Sequence, residues 1–409
     1  MSKPTITDSI GGYVLEWAAE FIKIQVNRLK THTDGRVTGE ITVTTTNPKA
    51  PGHLHQAQLN FSASGTRGQL AKKLNARVPL DWDAIIEQLC FHVLERARTG
   101  GPVQELWTST EVKPPEYLLY PFVLKNLPSV IFGLPSAAKS TVALILSQVM
   151  LLPWDDNPLD IQAPGRSIRS LYLDWETDGD VIQWQMTRLQ RGMDLPPLAV
   201  SYRNCGLPLA QDLEQIRKHI DDTKADLIII DSLGLASGGE LKDAGPAIAF
   251  YSALRQLNIS SLILAHTSKN REDKQKSIFG SIYFEAQARN IWEIRKVQEA
   301  DEDEISVGLF HRKPPPFSKL HKPLGMRLHF NGTGMTIAKH EPQSVREFVS
   351  AIGTQAQIKE ALKDGAMSTQ EIMDALEINR GNADMALKRL RDKKQISRVE
   401  DGKWGLLLQ

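Results

Sequence analysis

The segment Gly133-Leu134-Pro135-Ser136-Ala137-Ala138-Lys139-Ser140-Thr141 follows an apolar run, Ser129 to Phe132, and leads into the aliphatic stretch that begins at Val142. A strand, a tight turn and a helix start in that order aim backbone N–H groups and the positive end of a helix at one point. That arrangement suits phosphate groups. Lys139 is placed to meet a β- or γ-phosphate, and the Ser140 hydroxyl is placed to meet Mg²⁺. Gly133, Ser136, Ala137, Ala138 and Thr141 complete the candidate cradle. The spacing is one residue off the pattern G-x-x-x-x-G-K-[ST], because Ala138 stands where glycine is expected. A Cβ there restricts the backbone or crowds the ligand, which bears on the rate of any hydrolysis.

Two acidic strand ends follow. Ser170-Leu-Tyr-Leu-Asp174-Trp175-Glu176 is an apolar run closing on two carboxylates, and Leu227-Ile-Ile-Ile-Asp231-Ser232 is a second. Buried parallel strands are nearly continuous in aliphatics, and their ligands gather at the carboxyl edge of the sheet. Asp231 is the candidate second holder of Mg²⁺, with Ser140. Glu176 is a further carboxylate at the end of the first of these strands. A further run, Ser261-Leu-Ile-Leu-Ala-His266-Thr267, also ends in polar groups. One aliphatic run ending in Asp is a weak signal, but four such segments in this order are a specific one.

On these residues the sequence resembles the RecA family of ATPases over roughly residues 115–335. The His266-Thr267-Ser268-Lys269 form is similar to the branch of RepA-type plasmid helicases. The resemblance implies ATP and Mg²⁺ as ligands, Glu176 polarising the water, and His266 and Thr267 coupling nucleotide state to the next loop. It also implies self-association into a ring, a hexamer, with nucleotide between subunits and a basic residue supplied by the neighbour. Arg312 and Lys313 are the candidates for that residue, and Arg289 and Arg295 are weaker ones. The loops that grip nucleic acid in such motors correspond to residues 234–246 and 269–281, and the second carries Lys269, Arg271, Lys274 and Lys276.

The elements that must position these groups fall into three zones. Residues 1–110 read as an α+β domain. Residues 21–26 and 37–46 alternate around a Thr33-Asp34-Gly35 turn, which predicts a hairpin. Residues 53–62 predict another strand, and apolar residues at 85, 86, 89, 93 and 94 predict a helix over 81–98. The stretch 99–115 reads as a linker. Residues 111–340 alternate β and α, with strands at 129–132, 170–173, 227–230, 261–264 and 306–310, and so predict an α/β core with a mostly parallel sheet flanked by helices. Residues 341–409 read as three helices, at 354–363, 368–376 and 380–393, and a strand pair around 396–407. Their pattern looks like the winged-helix DNA-binding domains attached to many ATPases. The span 379–398 holds seven basic residues against two aspartates, a local charge of +5; Arg380, Lys388 and Arg391 are its candidate contacts to nucleic acid.

The bulk numbers constrain the partners. Net charge is +1 over 409 residues, so any nucleic-acid surface is a local patch. Hydrophobic residues make up 41% and charged residues 24%, an ordinary globular composition. Cys90 and Cys205 stand far apart, in neither metal nor disulfide spacing. No basic region followed by an apolar run opens the chain, and the longest apolar stretch, 142–153, is too short to span a bilayer. The expectation is a cytoplasmic protein with no membrane contact. Three functions stay open: a DNA helicase or translocase of replication type, a filament-forming recombination or repair ATPase, and a slow nucleotide-switched regulator or scaffold. The third is favoured by Ala138.

Overall fold

A computed structural model of the chain describes residues 2–9, 12–32, 34–99, 105, 107–108, 116–267, 277–299, 302–316, 318–399 and 402–407. The chain divides into two compact units, residues 1–113 with 213–218, and the remainder.

In the first unit β1 (Thr5–Ser9), β2 (Gly12–Trp17), β3 (Ile22–Thr31), β4 (Val37–Thr45) and β5 (His53–Asn60) form an antiparallel meander in sequence order. Strict alternation drives it: in β4 every second residue from Val37 to Thr45 is buried. Helices α1 (Ser64–Asn75) and α2 (Trp82–Thr99) add Leu74, Ile85, Leu89 and Val93 to the core, together with Trp17 and Ile24 of the sheet. The predicted hairpin, third strand and second helix are present. The sequence pattern missed β1, β2 and α1. The linker predicted over 99–115 lies almost wholly outside the described residues.

The second unit opens with a small ribbon, β6 (Tyr117–Leu119) and β7 (Val123–Leu124). Then come β8 (Pro128–Gly133), α3 (Lys139–Leu151), β9 (Ser170–Asp174), α4 (Gly179–Gly192), β10 (Ser201–Asn204), α5 (Leu213–Thr223, of which 213–218 group with the first unit), β11 (Leu227–Asp231), α6 (Leu233–Ser237), α7 (Ala244–Leu257), β12 (Ser260–His266) and α8 (Ile282–Gln287). The last four strands of the core are β13 (Asn290–Val297), β14 (Glu304–Lys313), β15 (Leu324–Asn331) and β16 (Gly334–His340). Nine strands make one sheet in the order β10-β9-β11-β12-β8-β13-β14-β15-β16. The first six run parallel, and β13 to β16 continue as an antiparallel meander. This mostly parallel sheet flanked by helices fits a RecA-like α/β fold.

The meander revises the predicted alternation. The 306–310 strand is antiparallel, because the few residues between Val297 and Glu304 are too short for a crossover helix and permit only a hairpin return. Its partner β13 went unpredicted because polar residues interrupt Ile-Trp-Glu-Ile-Arg. Helix α4 packs over the last strand, β16. There Met193 Sδ accepts the Ile337 N–H at 3.1 Å, and Arg188 Nη2 donates to the carbonyls of Gly332 and Gly334.

After β16, α9 (Thr354–Ala361), α10 (Thr369–Leu376) and α11 (Arg380–Asp392) are followed by the hairpin β17 (Ile396–Arg398) and β18 (Trp404–Leu406). Ser368 caps α10 in a reciprocal box with Glu371. Ile358, Ile372, Leu387, Leu390 and Trp404 form their shared core.

One histidine locks the join of the parallel and antiparallel halves. The His311 ring stacks on Trp292 at 4.4 Å and 4°. Its Nε2 lies 2.8 Å from Asn290 Oδ1, while Nδ1 accepts the His321 N–H at 2.9 Å. This pattern suits the neutral ring, and burial pushes the imidazole pKa down to about 4. Between the ordinary value of about 6.5 and 4, the unfolded chain holds a proton that the folded chain lacks. Stability therefore falls as pH drops through that window, by up to about 1.4 kcal/mol per unit. Denaturant unfolding of the wild type and H311N at pH 7, 6, 5 and 4 checks this. The variant is expected to show a shallower loss across the window, and an identical slope would count against a neutral buried His311.

Candidate functional site

Register places the chemistry. In the parallel sheet His266 pairs with Gly133, and Asp231 pairs with both Asp174 and Leu264. The carboxyl ends of β8, β9, β11 and β12 therefore meet at one edge, where open α/β sheets bind ligands. Gly133 has to be glycine, because a Cβ there would lie 2.6 Å from the Ile294 carbonyl oxygen. The loop leaves β8 through two left-handed residues, Ser136 (φ 59°) and Ala138 (φ 64°, ψ 26°), and enters α3 at Lys139. Ala138 thus adopts the conformation in which glycine is cheap and a Cβ costs about 1 kcal/mol or more. Its methyl packs against the main core, which offsets part of that cost. Ala137 is buried, Ser136 is exposed, and Thr141 Oγ1 lies 3.3 Å from Gln185 Oε1 of α4.

Lys139 is buried, and its Nζ donates to the Leu134 carbonyl at 2.9 Å and the Gly133 carbonyl at 3.4 Å, with His266 Nδ1 also at 3.4 Å. Burial lowers its pKa, against the opposing pull of Asp231 and Glu176. On the other side of the ring, His266 Nε2 lies 3.3 Å from Glu176 Oε1. Ser232 Oγ donates to that same oxygen. The hydrogen bond to His266 is the largest influence holding the Glu176 carboxyl below its usual range. Lys139, His266 and Glu176 therefore form one polar chain across the sheet edge, with Glu176 kept ionised as a general base must be.

Ser140 Oγ donates to Asp231 Oδ2 at 2.6 Å. The buried Tyr172 hydroxyl donates to the same oxygen at 2.5 Å. Desolvation raises the Asp231 pKa, while these two donors oppose it. Burial and the charge of Asp231 push the Tyr172 phenol well above its ordinary value. Tyr172 was missed in the sequence; the signal was a polar tip in the middle of an otherwise aliphatic buried strand. Asp174, the first of the two strand-end carboxylates, serves the backbone: it accepts the N–H groups of Glu176 and Thr177 and the Thr177 hydroxyl.

The remaining predicted residues lie elsewhere. Thr267 is buried, with its hydroxyl on the Ser277 carbonyl and its N–H on Gly133 O, so it ties Ser277 to the start of the phosphate loop. Arg312 donates to Glu293 Oε2 through Nε at 2.8 Å and Nη2 at 2.5 Å, and to the Ala351 carbonyl at 3.0 Å. Arg295 Nε takes Glu293 Oε1 at 2.7 Å. Lys313 Nζ donates to the carbonyls of Glu285 and Ala286 at the end of α8. Arg289 is exposed. These cations are not gathered at Lys139 or Glu176 within this chain. Glu293, a buried carboxylate between two arginines, was also missed; a lone acid between Trp292 and Ile294 was its only trace. Lys269, Arg271, Lys274 and Lys276 lie outside the described residues. Arg380, Lys388 and Arg391 are exposed on α11 opposite buried Ala383, Ala386, Leu387 and Leu390. Among the described residues no cluster of three or more His, Cys, Asp or Glu side chains is arranged to hold a metal.

Residues 95–272 match the model of a family described as an AAA domain. The matched span contains Lys139, Ser140, Glu176, Asp231 and His266. With the sheet order and the loop geometry, it supports a RecA-like P-loop ATPase core. No curated protein matches the chain. A solved structure that aligns with it is a KaiC-like protein from the hyperthermophilic archaeon Pyrococcus horikoshii OT3. It is 11% identical over 55% of this chain and 94% of that one, at a TM-score of 0.36. A likeness so distant says nothing of substrate or assembly.

The left-handed Ala138 yields a direct test. A138G is expected to raise unfolding stability by about 0.5–1 kcal/mol, the penalty of a Cβ at positive φ less the flexibility glycine gains when unfolded. ATP binding is expected to persist. Thermal and denaturant unfolding measure the first and nucleotide titration the second; a destabilised variant would show that the methyl's packing outweighs the backbone penalty.

Proposed function

We propose that this chain is an ATP-hydrolysing RecA-like ATPase that acts on nucleic acid, as an oligomeric DNA helicase or translocase of replication type in the cytoplasm. The observation that carries the hydrolytic part is the polar chain from Lys139 through His266 to Glu176, beside the Ser140–Asp231 pair. Lys139 and the loop's N–H groups bind the phosphates of ATP. Ser140 and Asp231 are hard oxygen donors side by side, with few protein ligands, which suits Mg²⁺ held jointly with a nucleotide. The ion would neutralise charge on the phosphates. Glu176, pinned by Ser232 and His266, orients and deprotonates a water. His266 touches both the phosphate lysine and the base, so movement of either is felt by the other and, through Thr267, by the segment that follows.

The nucleic-acid part is carried by α11. Its exposed face bears Arg380, Lys388 and Arg391, and the hairpin β17–β18 follows it at once, the order of a winged helix. Neutralised phosphates would make its binding salt-dependent. Ring assembly, a hexamer with a basic residue lent by the neighbour, belongs to the same proposal. Among the described residues no helix is long and apolar enough to cross a membrane. A second reading, a slow nucleotide switch, is favoured by the backbone of Ala138.

ATP turnover with and without single-stranded DNA decides between them. DNA is expected to stimulate the wild type. E176Q should lower kcat by about 10²-fold or more while ATP still binds, and K139A should lose binding. Replacing Arg380, Lys388 and Arg391 together by Ala should abolish the stimulation and leave basal turnover. Lys139-dependent binding without turnover would establish the switch instead, and filaments in place of closed rings would point to recombination or repair.

A further inference from the structure

We propose that Tyr172 is a positioning residue for Asp231, fixing which of its oxygens is offered to magnesium. The inference rests on reading Ser140 and Asp231 as the magnesium pair. Tyr172 lies at the centre of β9, a strand in which all five residues are buried, and its own side chain has no solvent exposure. A phenol there must find an acceptor inside the protein. Tyr172 pairs with Ile229 of β11, two residues before Asp231, so the two side chains leave the sheet on one face and meet on the diagonal. The hydroxyl reaches Asp231 Oδ2 at 2.5 Å, the length of a charge-assisted bond.

The same oxygen also receives the Ser140 hydroxyl at 2.6 Å. Asp231 Oδ1 has no hydrogen-bond partner among the described residues. Two donors from different elements, one on β9 and one on α3, thus hold one oxygen and leave the other available. The phenol is itself held: Tyr202 stacks on its ring at 6.3 Å and 23°, and the Tyr202 hydroxyl is anchored to Asp174 Oδ2 at 3.1 Å. Partners that orient a metal-binding carboxylate from behind contribute to metal affinity without touching the ion. Tyr172 plays that part here, and Phe in its place keeps the ring in the core while removing the donor.

The test is binding of a fluorescent ATP analogue to the full chain as Mg²⁺ is titrated, in the wild type and Y172F. The half-saturating Mg²⁺ concentration is expected to rise about ten-fold or more in the variant, with analogue affinity in EDTA unchanged. A folded Y172F with an unaltered Mg²⁺ midpoint overturns the proposal. So does a variant that loses melting temperature and EDTA affinity together while keeping the midpoint, which is the mark of a purely structural role. K139A is the separate control: undiminished binding there defeats the nucleotide reading itself. Should Y172F not fold, a structure of the wild type with Mg²⁺ and nucleotide decides. Tyr172 Oη within hydrogen-bond distance of Asp231 supports the role, and a separation beyond about 3.5 Å overturns it.

Discussion

The site depends on the burial of one carboxylate. Asp231 ends a strand whose five residues are all buried, so a charge is held where water cannot solvate it. Such a group persists only if neighbouring donors replace the lost water. Ser140 and Tyr172 do this from two directions. The first also fixes the start of α3 against the sheet edge, and with it the loop from Gly133 to Lys139. The second ties β9 to β11, which sets where Glu176 emerges. One electrostatic requirement thus coordinates the phosphate loop, the Ser140–Asp231 pair and the candidate base.

The parts of this core that could be read in the sequence are those where a single physical rule acts alone. Strands β8, β9, β11 and β12 are buried on both faces, so they stand out as aliphatic runs, and their polar ends mark the carboxyl edge. The capping box at Ser368 and the buried stripe of α11 are likewise local signals, and both are present. In the N-terminal unit β3, β4 and α2 follow the same logic. The strands β13 to β16 obey no single rule. Glu293 breaks the apolar run of β13 and is tolerated because Arg295 of the same strand and Arg312 of β14 neutralise it.

The site shows the same division. Lys139, Ser140, Glu176 and Asp231 announce themselves by type and spacing, and the structure brings them together. Tyr172 and Ser232 do not, because their roles exist only once β9 and β11 are side by side. Arg312 and Lys313, which the sequence places just past a strand, are the last two residues of β14, and within this chain both are tied to groups of their own: the Glu293 carboxylate and the Ala351 carbonyl for one, the end of α8 for the other. Place along the chain cannot reveal such commitments, which arise from a neighbouring strand and from two helical segments brought near by the fold.

The two margins of the nine-stranded sheet are unequal. At one, β10 offers four residues, Ser201–Asn204, a short ladder for any foreign strand. At the other, β16 is longer, but α4 already lies against it, with the Ile337 N–H turned to the sulfur of Met193 and Arg188 reaching the carbonyls beside it. Unpaired ladder groups are what recruit another chain into a growing sheet. A sheet that covers its long margin with its own helix and keeps the other short offers a foreign strand little to pair with at either side.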